Sequence, residues 1–338
     1  MQKLLIGILL CGVGISSALE PIKNPVYGGN APDPTIWQAD DGMYYCCATP
    51  GGGRGLILQS KNLVKWESSG KRPFSEEMIE VIHKEFKNIW APDMIRLNGK
   101  WMFYVTLYNS AHDSAIAVFS SDNATGPFED MHVITRSKDT KIKDTIDPEV
   151  VKDPDTGKLW LFFGSIGKMH RVELKPDGLS VVDNAQYVHV AGLDSDQNRS
   201  RSKVYEGCYL YRRDGWWYLF ASCGWYNNHT YSLVVGRSKT LEGEFVDKEG
   251  KPMKEGNATK ILRSDAGDEF YGPGHNGEII TDGDGKTYMF YHCHQASLNK
   301  GWLRNLHLQE ILWGEDGWPY FETGKPKLLP SGVLRAEG

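Results

Sequence analysis

The feature that most limits how this chain can fold is a unit that it repeats five times. Each copy is a short apolar strand, a tight turn and a stronger aromatic strand. The copies are Asp33–Trp37 before Tyr44–Cys46, Asp93–Leu97 before Trp101–Tyr104, Asp147–Val151 before Trp160–Phe163, Glu206–Leu210 before Trp217–Phe220, and His275–Ile279 before Tyr288–Tyr291. Their turns are Asp41-Gly42, Asn98-Gly99, Thr156-Gly157, Asp214-Gly215 and Asp284-Gly285, mostly pairs that favour positive φ in two-residue hairpins. A further strand pair follows most hairpins, as in Ile57–Ser60 before Trp66, Ile116–Ser120 before Phe128 and Leu233–Arg237 before Phe245; the third copy shows it least. Copies start 54 to 69 residues apart, enough for one four-stranded antiparallel sheet with its loops. A self-similar array of such sheets predicts an all-β, five-bladed β-propeller, which leaves only short edges. A β-sandwich would have to match five hairpins by accident. Helical periodicity is confined to a turn or two over Glu76–Phe86.

With 338 residues, the chain is expected to hold a signal peptide over 1–18 and a single propeller domain over 19–338. Lys3, the apolar run Leu4–Val13 and the small residues Ser16-Ser17-Ala18 have the order of a secretory leader. The run is too short to span a bilayer, and no later segment reads as a membrane span. Lipoprotein anchoring at Cys11 is disfavoured, because bulky Leu10 precedes it. The expected location is therefore secreted or periplasmic, and the expected state a monomer. A net charge of -5 without a Lys/Arg cluster excludes a nucleic-acid partner. Cys46, Cys47, Cys208, Cys223 and Cys293 are odd in number and irregular in spacing, so buried free thiols are expected rather than disulfides. The glycine-rich run at 51–55 lacks the Lys-Ser/Thr and the helix of a phosphate loop.

The first position of each copy is ionisable: Asp33, Asp93, Asp147, Glu206 and His275. In a propeller these strand starts surround the central axis at one end, so residues distant in sequence meet in one pocket. Convergent carboxylates repel one another unless they have chemistry to perform or a cation to hold. Glycoside hydrolysis uses such a set, with one carboxylate ionised as base and another protonated as acid. Blades one and four are not neighbours, so Asp33 and Glu206 face each other and leave room for a water, which implies inversion. Blade three adjoins blade four, so Asp147 is expected to raise the pKa of Glu206. The roles expected are Asp33 as general base, Glu206 as general acid and Asp147 as pKa modulator. Trp90, Asp93 and Ser165 are expected substrate contacts, Trp90 as a stacking face.

The segments Ala31-Pro-Asp-Pro34, Trp90-Ala-Pro-Asp93, Asp144-Thr-Ile-Asp-Pro148 and Tyr205-Glu-Gly207 resemble glycoside hydrolase family 43 from about Tyr27 to Phe321. Gly272-Pro-Gly-His-Asn276, Tyr291-His292, and Trp313 followed by Gly317-Trp-Pro319 are similar to the endo-α-1,5-L-arabinanases of that family. The resemblance implies arabinan or arabino-oligosaccharide as substrate, cut internally, and the same three roles for Asp33, Asp147 and Glu206. It also implies a cation, usually calcium, on the propeller axis, faced by His275 largely through water. Three loops depart from the pattern: Leu193–Ser200, Cys223–His229 and His292–Gln295. Such loops set cleft length, so an exo-acting α-L-arabinofuranosidase or β-xylosidase of the same fold is the alternative. A non-catalytic sugar-binding propeller would require loss of an axial carboxylate, and all three are present.

Overall fold

The structure, a computed structural model, describes residues 20–327 apart from 52–54, 167, 195, 197, 199 and 299–301, together with 333–334. The expected leader and Cys11 lie outside the described residues. Five antiparallel sheets follow one another along the chain as the blades of a β-propeller. Blade 1 is Thr35–Gln38, Tyr44–Cys47, Leu58–Ser60 and Glu67–Ser68, and blade 2 is Asn88–Leu97, Lys100–Ser110, Asp113–Ser121 and Glu129–Arg136. Blade 3 is Glu149–Lys152, Leu159–Phe163, Met169–Leu174 and Val188–Ala191; blade 4 is Tyr205–Arg213, Trp216–Cys223, Ser232–Ser238 and Thr259–Leu262. In blade 5 the inner strand is split into Phe270–Gly274 and Ile279–Thr281, both paired with Thr287–Gln295, outside which lie Asn305–Trp313 and Pro319–Tyr320. The third blade therefore has its outer strand pair after all. In Met169–Leu174 two of six side chains, His170 and Glu173, are half-buried, so the strand does not stand out as an apolar run.

All five hairpin glycines adopt positive φ, and at Asn98-Gly99 and Asp214-Gly215 both turn residues do, as two-residue turns of this hand require. The expected helical turns form Glu76–His83, capped by the Ser75 hydroxyl accepting from the Met78 N–H at 3.1 Å. Five apolar clusters fill the five junctions between blades. Strand alternation feeds them from both faces of a sheet. Trp160 and Phe162 pack toward blade 4, while Leu159, Leu161 and Phe163 pack toward blade 2. Ile22, Val26 and Ala31 join the cluster between blades 5 and 1. The side chain of Asn24 both donates to the Leu308 carbonyl and accepts from the Leu308 N–H, so the N-terminal segment closes the ring on blade 5. The five cysteines are free and buried. Among the described residues no helix is long and apolar enough to cross a membrane.

Candidate active site

One backbone device recurs where each blade enters the axis. Asp33, Ala91, Asp147, Gly207 and His275 all have positive φ, from 28° to 60°. Four of these N–H groups are held by a side chain at or just past the second strand of the preceding blade. Ala91 donates to Thr49 Oγ1 (2.9 Å), Asp147 to Thr106 Oγ1 (2.9 Å), His275 to Ser222 Oγ (2.7 Å) and Asp33 to His292 Nδ1 (3.1 Å). The exception is informative. Ser165, two residues past Phe163 as Thr49 is two past Cys47, instead donates to Glu206 Oε2 at 2.6 Å. The Gly207 N–H takes Asp147 Oδ2 at 3.1 Å in its place. At this junction the hydroxyl serves a carboxylate and leaves the stitch to Asp147.

The same frame corrects the expected alignment. Asp33, Asp147 and His275 share the repeated position, but Glu206 stands one residue ahead of it and Asp93 two residues beyond. Register shifts in the inner strands of blades 2 and 4, at Trp90/Asp93 and Glu206/Tyr209, produce these offsets. Asp93 consequently falls in a second layer down the axis. There its carboxylate accepts the Val150 N–H at 2.7 Å, as Glu149 accepts from Leu210, the Tyr209 hydroxyl from Ile279, and Glu278 from Ile36. Asp93, expected to touch substrate, is a blade-to-blade stitch and does not line the cavity.

Asp33, Asp147, Glu206, Trp90, Ser165 and His275 do line one cavity, of about 310 Å³. All three carboxylates are buried. Asp33 accepts from Thr49 Oγ1 at 2.5 Å and from Arg304 Nη1 at 2.8 Å, and His275 Nδ1 lies 3.2 Å away. Burial works against its charge, yet Arg304 and His275 hold its carboxyl well below the usual carboxylate range. Glu206 accepts from Ser165 on one oxygen and from the Tyr231 hydroxyl (2.8 Å) on the other, with Arg201 Nη2 at 3.6 Å. Burial, opposed by His275 and reinforced by the Glu206 charge, pushes Asp147 up to about 7. Asp147, expected as the modulator of its neighbour, is thus itself a raised carboxyl. Burial also pushes Asp144, on the same cavity wall, up to about 6. Trp90 stacks on Tyr108 with centroids 4.0 Å apart, so one face is already taken by a protein ring.

Arg201, Arg304, Tyr108, Tyr226, Tyr231 and Asp144 also line the wall, and none of them was assigned a role from sequence. Arginine beside a carboxylate carries no local sequence signal when the two lie 271 residues apart, as Arg304 and Asp33 do. His292 lies directly behind the site. It is neutral, its pKa pushed well down by burial, and it supports the Asp33 backbone while stacking on Tyr231.

The axial ion implied for His275 is one held largely through water. Among the described residues no three of His, Cys, Asp and Glu converge as metal donors. His275 turns Nδ1 to Asp33, and its ring covers Gly207, whose missing Cβ would lie 2.8 Å from His275 Cγ. Although burial opposes protonation, Asp33, Asp147 and Glu206 outweigh it and raise His275 to about 9. A cationic imidazole therefore stands among the carboxylates.

The chain is similar to known glycoside hydrolases over most of its length. The family profile described as glycosyl hydrolases family 43 matches residues 22–319. An extracellular exo-α-(1→5)-L-arabinofuranosidase of Cellvibrio japonicus is 29% identical over 305 residues, 85% of each chain. An extracellular endo-α-(1→5)-L-arabinanase of Bacillus subtilis is 31% identical over 246 residues, covering 70% of this chain and 69% of that one. The solved structure of Cellvibrio cellulosa α-L-arabinanase complexed with arabinohexaose superposes with a TM-score of 0.73 at 27% identity, over 87% of this chain and 96% of the other.

Proposed function

This chain belongs to glycosyl hydrolase family 43, and from that premise we propose that it hydrolyses α-1,5-linked L-arabinofuranosyl bonds of arabinan with inversion. The observation that carries the reading is the opposite electrostatic treatment of the carboxylates in one cavity. Asp33 is ionised by Arg304 and His275, while Asp147 beside Glu206 retains a proton near neutrality. Asp33 is the base that takes a proton from the attacking water. Glu206, oriented by Ser165 and Tyr231, delivers a proton to the departing sugar oxygen. Asp147 keeps that proton resident in the pair and fixes the Gly207 backbone beneath it. Trp90 offers a rigid apolar face to the sugar. His275 would face an axial calcium through water, and the ion would supply positive charge near the carboxylates.

Internal cleavage is the mode that the sequence motifs favour. Chain-end action has its own support: the cavity lies at the small end of ligand pockets, and Arg304 and Tyr226 form part of its wall. Secretion is proposed from the leader-like N-terminus and from relatives named extracellular. A time course on linear α-1,5-arabinan separates the modes. A ladder of intermediate oligosaccharides marks internal attack, and a single short product from the outset marks chain-end attack. Release by wild type but not by Glu206→Ala is expected in both cases. A wild type inert on arabinan, with calcium supplied, would sink the substrate assignment.

A further inference from the structure

The loop Cys223–His229, which departs from the family pattern, carries two adjacent aromatic rings beside the cavity, Trp225 and Tyr226, exposed by 44% and 47%. Flat aromatic rings left open beside a cavity are suited to stacking on a ligand that extends from it. The loop is a built feature. Gly224 adopts φ 96°, and a Cβ there would lie 2.3 Å from the Thr230 carbonyl oxygen. The Trp225 N–H donates to Thr230 Oγ1 at 3.1 Å, and the Thr230 hydroxyl donates to Asn228 Oδ1 at 2.6 Å. The Tyr226 carbonyl is held by His294 Nε2 at 2.8 Å.

Each ring rests on a guanidinium. Arg201 Cζ lies 4.6 Å from the Trp225 ring centroid, and Arg304 Cζ lies 5.2 Å from that of Tyr226. These are the same two arginines that reach Glu206 and Asp33. A cation stacked on one ring face restrains it and leaves the open face to solvent. Tyr226 itself lines the catalytic cavity, so the open surface is continuous with the site.

We propose that Trp225 and Tyr226 form a sugar-stacking platform for the part of an arabinan chain that extends beyond the catalytic cavity, steadied by Arg201 and Arg304. The proposal rests on the arabinan reading above. Flat rings with open faces bind the apolar side of a furanose, and the two arginines make the surface ready before substrate arrives, which reduces the ordering cost of binding.

The test compares wild type, Trp225→Ala and Trp225→Phe on arabinohexaose and on the shortest arabino-oligosaccharide that wild type cleaves. For Trp225→Ala, KM for arabinohexaose should rise about tenfold with kcat within about twofold, the loss expected for one stacking face. The shortest substrate should be unaffected, and Trp225→Phe should recover most of the arabinohexaose KM. An equal loss on both substrates, or no loss on either, overturns the platform while leaving the hydrolase reading intact. A wild type inert on every arabino-oligosaccharide removes the reading and the platform with it.

Discussion

Arg304 belongs to no repeated strand start, yet it sets the charge of Asp33. It enters from the residue before Asn305–Trp313 and places Nη1 2.8 Å from Asp33 Oδ1. Replacing Arg304 by Ala leaves burial less opposed, so the Asp33 pKa must rise. An opposite charge this close is worth about 1–3 pKa units, and the acid limb of the kcat/KM profile should move up by a similar amount. Activity then falls more at acid pH than near neutrality. Arg304→Lys keeps the charge and should restore much of the limb. A profile unmoved in Arg304→Ala would mean that the base titrating that limb is not Asp33. The repeat made Asp33, Asp147 and Glu206 legible in sequence, because chain position alone brings strand starts to the axis. Asp93 was misread since a one- or two-residue offset leaves the apolar pattern looking in phase. The arginines were illegible for a different reason: side chains delivered by loops obey no period.

The blade entrance is the element on which the site depends, and it demands a left-handed residue at every copy. A non-glycine side chain there costs about 1–3 kcal/mol. Asp33, Asp147 and His275 bear this strain at the cavity, where the surrounding hydrogen bonds determine their conformation. Gly207 could not bear a side chain for a second reason, the His275 ring packed over it. Gly42, at φ 82° with nothing within 4 Å of an added Cβ, isolates the backbone strain alone. Gly42→Ala should therefore cost about 1–2 kcal/mol in denaturant unfolding and leave kcat unchanged. Gly207→Ala should cost more and lower kcat as well, since His275 must move away from Asp33. Equal stability loss with equal activity would show that the His275 contact is not tight. The hairpins were predictable because turn chemistry is local. The register shifts at Trp90/Asp93 and Glu206/Tyr209 were not, because a bulge answers to the neighbouring blade.

For the whole molecule, the five apolar junctions follow from strands that are apolar on both faces, and the buried titratable groups between them shape stability against pH. Burial, reinforced by the Asp93 charge, raises Glu278 to about 8; Asp147 is raised to about 7, Asp144 to about 6 and His275 to about 9. Each such group binds a proton more tightly folded than unfolded, so its contribution is complete at low pH and is lost as pH rises through the folded pKa. His170, His189, His292, His294 and His307 are shifted down by burial, to about 4 for His170. They stay neutral when folded, while their unfolded counterparts gain protons below about pH 6.5. Their contribution is therefore complete above that pH and is lost as pH falls. The two sets oppose each other, and the melting temperature should peak near pH 6 and decline on both sides. Glu278 offers the cleanest separation, because it lies in the second axial layer, outside the cavity. Its Oε1 accepts from the Thr35 hydroxyl at 3.0 Å and its Oε2 from the Ile36 N–H at 2.5 Å. A glutamine can accept the Ile36 N–H and donate to the Thr35 hydroxyl oxygen, so Glu278→Gln preserves the stitch without a titrating proton. Melting curves should nearly coincide below about pH 4.5, where Glu278 is protonated both folded and unfolded, and the wild type should then fall progressively below the variant as pH rises to about 8. Parallel alkaline limbs would mean that Glu278 is already ionised at neutrality and that its charge is balanced within the axial layer.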